Sequence, residues 1–289
     1  MSCLLSFGHG YSAQALTRLL LPKDWHVIGT TRSAEKAERL ATEGVEAIVW
    51  PGEGAHDALT EAMDRATHLL ISAGPEGEGG DPVLARLTQE IGKMASQLTW
   101  AGYLSTTGVY GDHKGAWVDE STPLNPATAR GQLRVDAEAA WAAIPGLPLH
   151  VFRLAGIYGP GRGPFAKVRA GNARRIIKAG QVFSRIHVED IAQVLAASIE
   201  RPNPGAIYNV CDDLPAPPED VIGYAAELLG LPLPPAVDFE TADMTEMARS
   251  FYAESKRTDN ARLSEELGVR LHYPDYKCGL EALLAEETR

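Results

Sequence analysis

The sequence predicts an α/β protein built on a doubly wound parallel sheet, with a smaller substrate-facing lobe after Gly156. Short apolar runs alternate with amphipathic runs through the first 155 residues, and the first apolar run meets a glycine turn. The run 68–73 is apolar almost throughout, as a strand covered on both faces requires.

Residues 3–7 form the first expected strand, and 11–21, with Leu16, Leu19 and Leu20 at helical spacing, the first helix. A strand at 26–30, a helix at 34–42, a strand at 47–49, a short helix at 58–63 and a strand at 68–73 follow. Residues 74–80 hold four glycines in seven and read as a mobile loop. Asp81 is expected to cap a helix over 83–100, with Pro82 at its first position, ahead of a strand at 102–105. A strand at 149–154 runs into Gly159-Pro160-Gly161-Arg162-Gly163-Pro164, 186–199 reads as strand to helix, and 206–210 as a strand. Residues 215–289 look mostly helical, with a proline-rich break at 231–235. This order assigns a dinucleotide-binding core to 1–155, joined by about 182–211, and the smaller lobe to 156–181 and 212–289.

Composition narrows the function classes. With 289 residues, 45% of them hydrophobic and 22% charged, the chain is neither disordered nor fibrous. Lys and Arg number 27 against 38 Asp and Glu, and a net charge of −11 disfavours nucleic acid as the main partner. Cys3, Cys211 and Cys278 are odd in number and widely spaced, which fits a reducing cytoplasm and offers no redox or zinc spacing. Eight scattered histidines show no paired ligand spacing, so no metal is expected. No basic segment precedes a long apolar run, so neither a signal peptide nor a membrane span is expected.

The glycine turn carries the first functional signal. Gly8-His9-Gly10-Tyr11-Ser12-Ala13 is a G-x-G-x-x-A pattern between strand and helix. Gly8 permits the tight turn, Gly10 lets the backbone approach a pyrophosphate, and Ala13 allows close packing of helix on strand. The helix amino end then faces the phosphates. Gly8, Gly10, Tyr11, Ser12 and Ala13 are therefore cofactor candidates, joined by Ser72, Ala73, Gly74 and Ser105 at the carboxyl ends of the fourth and fifth strands. At the end of the second strand stand Thr31 and Arg32, with no acidic residue to accept the ribose hydroxyls of NAD. A guanidinium beside a hydroxyl suits a 2′-phosphate, so NADP is expected, with NAD as the alternative.

Beyond the turn, Leu104-Ser105-Thr106-Thr107-Gly108-Val109-Tyr110-Gly111, Trp117-Val118-Asp119-Glu120, Arg153-Leu154-Ala155-Gly156-Ile157-Tyr158-Gly159-Pro160-Gly161 and Arg185-Ile186-His187-Val188-Glu189-Asp190 follow in order. In this succession the chain resembles the extended short-chain dehydrogenase/reductases, also called the NAD-dependent epimerase/dehydratase family. The resemblance covers nearly the whole chain. It implies a Rossmann domain with a smaller C-terminal substrate lobe, and often a homodimer. It also places a catalytic Ser or Thr at Thr106, four residues before Tyr110.

The family's Tyr and Lys, four residues apart, are missing. Arg130 stands at the Tyr position and Arg134 at the Lys position. Arginine stays protonated and cannot serve as the family's proton donor and base. Arg130 can polarise an oxyanion or clamp a carboxylate, and Arg134 can hold the ribose. On the alternative reading Arg130, Arg134 and Glu138 form a solvated ladder on a helix whose Leu133, Ala137 and Trp141 face the core. The pattern departs elsewhere too: the opening fingerprint is not G-x-x-G-x-x-G, and Gly156 stands at the usual Asn position before Tyr158. Tyr110 and Tyr158 are weaker candidates for the missing acid. Arg169, Arg174, Arg175, Lys178 and Arg185 form a basic run, from which Arg174, Arg175 and Arg185 are expected to receive an anionic substrate.

The sequence thus predicts an NADP-binding oxidoreductase or epimerase/dehydratase-like enzyme acting on a small anionic carbonyl or hydroxyl compound. The competing prediction is a catalytically inactive NADP(H)-binding redox sensor or partner-binding protein.

Overall fold

The structure, a computed structural model, describes residues 2–54, 56–77 and 80–287. Glu78 and Gly79 of the expected mobile loop lie outside the described residues, as do Met1, Thr288 and Arg289 at the ends of the two expected regions. β1 (Cys3–Phe7), α1 (Tyr11–Leu20), β2 (His26–Thr31), α2 (Ala34–Thr42), β3 (Glu46–Val49), α3 (Asp57–Arg65), β4 (His68–Ile71), α4 (Leu84–Met94) and β5 (Trp100–Thr106) succeed one another. β6 (Trp117–Val118), α5 (Ala129–Ala142), β7 (Leu149–Leu154), β8 (Gly156–Tyr158), α6 (Phe165–Arg169), β9 (Arg175–Ile177), β10 (Arg185–His187), α7 (Val188–Glu200) and β11 (Ile207–Val210) come next. The chain closes with α8 (Pro218–Leu228), β12 (Ala236–Asp238), α9 (Glu246–Phe251), β13 (Arg257–Thr258), α10 (Ala261–Glu265) and α11 (Tyr276–Glu287).

Seven strands form one parallel sheet in the order β11-β7-β5-β4-β1-β2-β3, a Rossmann-like arrangement. β1 lies between β2 and β4, and the winding reverses there, which opens a crevice beyond Phe7 and Ile71. Side chains alternate across the sheet as strand geometry requires. Leu4 and Val27 pack with Leu16, Ile191 and Leu195 on the α1 and α7 face. Leu5, Phe7 and Ile28 pack with Leu59, Ile91 and Trp141 on the α3, α4 and α5 face. A separate cluster under α6, α8 and α11 buries Phe165, Val168, Ala225, Leu280 and Leu283.

Three expectations need correction. The helix expected over 83–100 kinks at Leu87 (φ −127°) and α4 ends at Met94, while Trp100 opens β5 opposite His68. Its indole lies over Gly102, where an added Cβ would stand 2.6 Å from Cζ2, and its Nε1 donates to Ser198 Oγ at 3.0 Å. The apolar run read as a strand to residue 73 leaves the sheet after Ile71, because the Ser72 and Ala73 amides both turn to Phe7 O, at 2.9 Å each. The C-terminal region is less helical than expected: β12 pairs with β9 and β13 with β6. Asp81 does cap α4, through Oδ1 to the Val83 and Leu84 amides at 2.9 and 3.0 Å. Among the described residues no helix is long and apolar enough to cross a membrane.

Candidate active site

The glycine turn packs against the end of β4. Gly8 has φ 75°, and a Cβ there would sit 2.7 Å from Ala73 N. Its amide donates to Thr30 Oγ1 at 3.0 Å. Gly10 precedes α1 and no side chain of the described residues caps that end, so the first-turn amides are left for an anion. His9 is wholly buried against Gly29, with Nε2 3.3 Å from Thr17 Oγ1, and burial lowers its pKa to about 4. Ala13 is buried, and Tyr11 donates to Pro160 O at 2.9 Å beneath the Arg162 guanidinium. Thr31 is buried, whereas Arg32 is exposed with Nη1 3.5 Å from Glu76 Oε2. Ser12, Ser72, Ser105, Thr106 and Arg134 line a cavity of about 220 Å³ at the carboxyl edge of the sheet. Gly74 lies against Arg134: a Cβ there would meet Nη2 at 2.6 Å.

A larger cavity, about 950 Å³, opens between this edge and the C-terminal elements, and Thr106, Arg130 and Arg134 all line it. Thr106 Oγ1 accepts from the Gly108 amide at 3.2 Å. Arg134 Nη1 donates to Leu104 O at 2.6 Å and Tyr103 Oη at 3.2 Å. Arg130 reaches across the cavity: Nη2 donates to Ser250 Oγ at 3.4 Å and the guanidinium lies 5.0 Å from the Phe251 ring centre.

The solvated ladder is not formed, because Glu138 turns inward. It is buried, accepts from Arg153 Nε at 3.2 Å and Nη2 at 2.8 Å, and also accepts the Ser105 hydroxyl. Arg153 Nη1 donates to Tyr110 Oη at 2.9 Å, and Tyr110 donates to Asn209 Oδ1 at 2.7 Å. Tyr110 is therefore a fully buried member of this network and not a wall of the cavity, which corrects its candidacy as the missing acid. Tyr158 does line the cavity, but its hydroxyl is 3.4 Å from Asp275 O. Burial, with Asp212, Asp190 and Asp275 nearby, raises its pKa far above the ordinary tyrosine value and keeps it protonated.

The basic run is dispersed. Arg174 is exposed with Nη2 3.4 Å from Asp243 O, and Arg175 donates through Nε to Pro234 O at 2.9 Å. Neither lines the cavity, because β9 runs along β12 at the surface of the lobe; Arg185 does line it. Sequence reasoning missed Lys256, a buried lysine on the cavity wall whose Nζ donates to Gly111 O at 3.0 Å and Glu254 Oε2 at 2.6 Å. No motif could have signalled it, since 145 residues separate Lys256 from Gly111. Among the described residues the lining thus holds Arg130, Arg134, Arg162, Arg185 and Lys256 against one carboxylate, Glu254, in a chain of net charge −11. Among the described residues no group of three His, Cys, Asp or Glu side chains could hold a metal ion.

No protein-family model matches the chain. It is 30% identical over 277 residues to Protein YeeZ of Escherichia coli (strain K12), across 93% of this chain and 95% of that protein. A functionally unknown conserved protein from Silicibacter pomeroyi DSS is 64% identical over 99% of both chains, with a TM-score of 0.94. The fold is shared at much lower identity. The dTDP-glucose 4,6-dehydratase of Bacillus anthracis str. Ames in complex with NAD is 16% identical with a TM-score of 0.80, over 100% of this chain and 97% of that one. The human epimerase family protein SDR39U1 (isoform 2) with NADPH is 19% identical with a TM-score of 0.76, over 98% and 99%.

Proposed function

Because the chain belongs to the NAD-dependent epimerase/dehydratase family of extended short-chain dehydrogenase/reductases, we propose that it is a cytoplasmic NADP(H)-dependent oxidoreductase or epimerase-like enzyme for a small anionic carbonyl or hydroxyl compound. The observation that carries this reading is the cavity: its walls are cationic in an acidic chain, and it opens on Thr106 and Arg134 at the carboxyl edge of the sheet. The turn fits a dinucleotide, since Gly8 leaves no room for a side chain and the amino end of α1 is uncapped.

Gly8, Gly10 and the amides of Ser12 and Ala13 would hold the pyrophosphate, with Ser72, Gly74 and Ser105 as walls. Arg32 would meet the 2′-phosphate beside Thr31, and Arg134 the nicotinamide ribose. The bound nicotinamide supplies or accepts a hydride. Thr106 and Arg130 face one cavity and would polarise the substrate oxygen, Thr106 by donating its hydroxyl proton and Arg130 by fixed charge. On this reading 1–155 with about 182–211 is the cofactor core, and 156–181 with 212–289 the substrate lobe.

NADPH should bind more tightly than NADH in a fluorescence titration, and Arg32→Ala should remove about 1.5–3 kcal/mol of that preference, tenfold or more. Equal affinities in the unaltered protein refute the role of Arg32. A second reading, an NADP(H)-binding sensor without turnover, is favoured by the contacts that tie Arg130 to Ser250 and Phe251 where the family has its tyrosine. No NADPH turnover across a broad screen of carbonyl compounds would select it.

A further inference from the structure

Arg185 opens β10 and lines the cavity, with its guanidinium plane fixed from one side. Nη1 donates to Phe183 O at 2.9 Å and to Ala216 O at 3.0 Å. Among the described residues no acceptor meets Nε or Nη2. These two N–H groups form one edge of the guanidinium fork and match the two oxygens of a planar carboxylate.

Nearby Asp212 does not fill that edge. It is buried, the backbone N–H groups of Leu214 and Arg185 are its nearest donors, no ion pair joins it to the Arg185 guanidinium among the described residues, and burial pushes its carboxyl up to about 8. Burial disfavours its charged form, which weakens it as a counter-charge to Arg185. Three tyrosines of the cavity wall, Tyr158, Tyr252 and Tyr276, lie within electrostatic reach of Arg185. The hydroxyl of Tyr158 is directed to Asp275 O, whereas those of Tyr252 and Tyr276 have no hydrogen-bond partner among the described residues. An unclaimed guanidinium edge and two unclaimed hydroxyls lining the same cavity suit a carboxylate on a hydroxyl-bearing skeleton.

We propose that Arg185, with Tyr252 and Tyr276, binds the carboxylate of a hydroxycarboxylic acid substrate, an assignment that rests on the cavity being the active site. Phosphate can also take the two-donor edge, so the preference for the acids comes from their hydroxyl-bearing skeleton meeting Tyr252 and Tyr276.

The test is calorimetry on the full chain loaded with NADPH, titrated with D-gluconate, D-glucuronate, neutral D-glucose and inorganic phosphate. The acids should bind at least about tenfold more tightly than glucose or phosphate. Arg185→Met should weaken the acids about tenfold or more and Tyr252→Phe about threefold, with NADPH affinity held within about twofold. Should Arg185→Met fail to fold, Arg185→Lys carries the test: it keeps the charge, loses the fork, and should still lose about fivefold. Phosphate binding as tightly as the acids, or acid affinity unchanged in these variants, overturns the proposal. A chain that binds NADPH but prefers no acid over glucose overturns it alone; a chain that binds no NADPH overturns the active-site assignment beneath it.

Discussion

Replacing Glu138 by alanine should be among the most damaging single changes away from the cavity wall. Its carboxylate accepts two nitrogens of Arg153 and the Ser105 hydroxyl, and the two charged side chains are only 8% and 4% exposed. The variant leaves Arg153 in the interior with Tyr110 as its remaining hydrogen-bond partner. Breaking one side of a buried pair costs about 3–5 kcal/mol, and the stranded Ser105 hydroxyl adds about 1 kcal/mol. Against a total stability of about 5–15 kcal/mol, such a chain stands near its folding threshold. Glu138→Met with Arg153→Met removes both charges, so it should recover at least about 2 kcal/mol relative to Glu138→Ala. Urea unfolding of the wild type, Glu138→Met, Arg153→Met and the double, with Glu138→Ala beside them, measures the coupling. A loss under about 1 kcal/mol in Glu138→Ala, or a double variant as weak as the sum of its singles, refutes the account of this pair. Ser105 precedes Thr106 on β5, so the double variant should also bind NADPH less tightly although it folds.

Arg130→Ala should cost under about 1 kcal/mol of stability, as an exposed hydrogen bond and one cation–π contact imply, while amide exchange over 246–251 quickens. Unchanged exchange there would mean that Arg130 does not hold α9. Gly8→Ala should lose at least about 1 kcal/mol and weaken NADPH, because the new Cβ meets Ala73 N from a backbone at φ 75°. A variant as stable as the wild type would dismiss that clash. Burial holds His9, His68 and His187 at a pKa of about 4, below the unfolded value of 6.5. The unfolded chain therefore takes up protons first as pH falls, so their contribution is complete above pH 6.5 and declines toward pH 4, by up to about 1.4 kcal/mol per pH unit for each histidine. A urea midpoint that stays level from pH 6.5 to 4.5 would contradict this.

What sequence reasoning reaches depends on range. The turn from β1 to α1 is legible because Gly8, Gly10 and Ala13 act within six residues, and the bounds of α2 are legible from local signals such as Ser33, whose hydroxyl accepts the Lys36 amide. Trp100 is not legible as a strand residue, because only its pairing with His68, 32 positions away, makes it one. Thr106, Arg130 and Arg134 follow from family spacing, and all three line one cavity. Tyr110 carries the same motif yet points into the sheet, since Arg153 and Asn209 on neighbouring strands take its hydroxyl. Arg174, Arg175 and Arg185 look alike as a string of charges, and only the fold decides that β9 faces outward while β10 meets the cavity. Lys256 is illegible because its partner at Gly111 comes from a distant loop.

Trp100 and Gly102 stand two apart on β5, on one face, and the indole occupies the volume that a side chain at 102 would need. The two positions are a single unit of substitution. Enlarging residue 102 first collides with the ring, and shrinking residue 100 first opens a hole and strands the Ser198 hydroxyl. Sequence drift can pass between Trp/Gly and a more even pair only by a simultaneous change or through a weakened intermediate. Among relatives of this chain the two columns should therefore vary together or hold still together, and a designer who repacks this face must choose both residues at once.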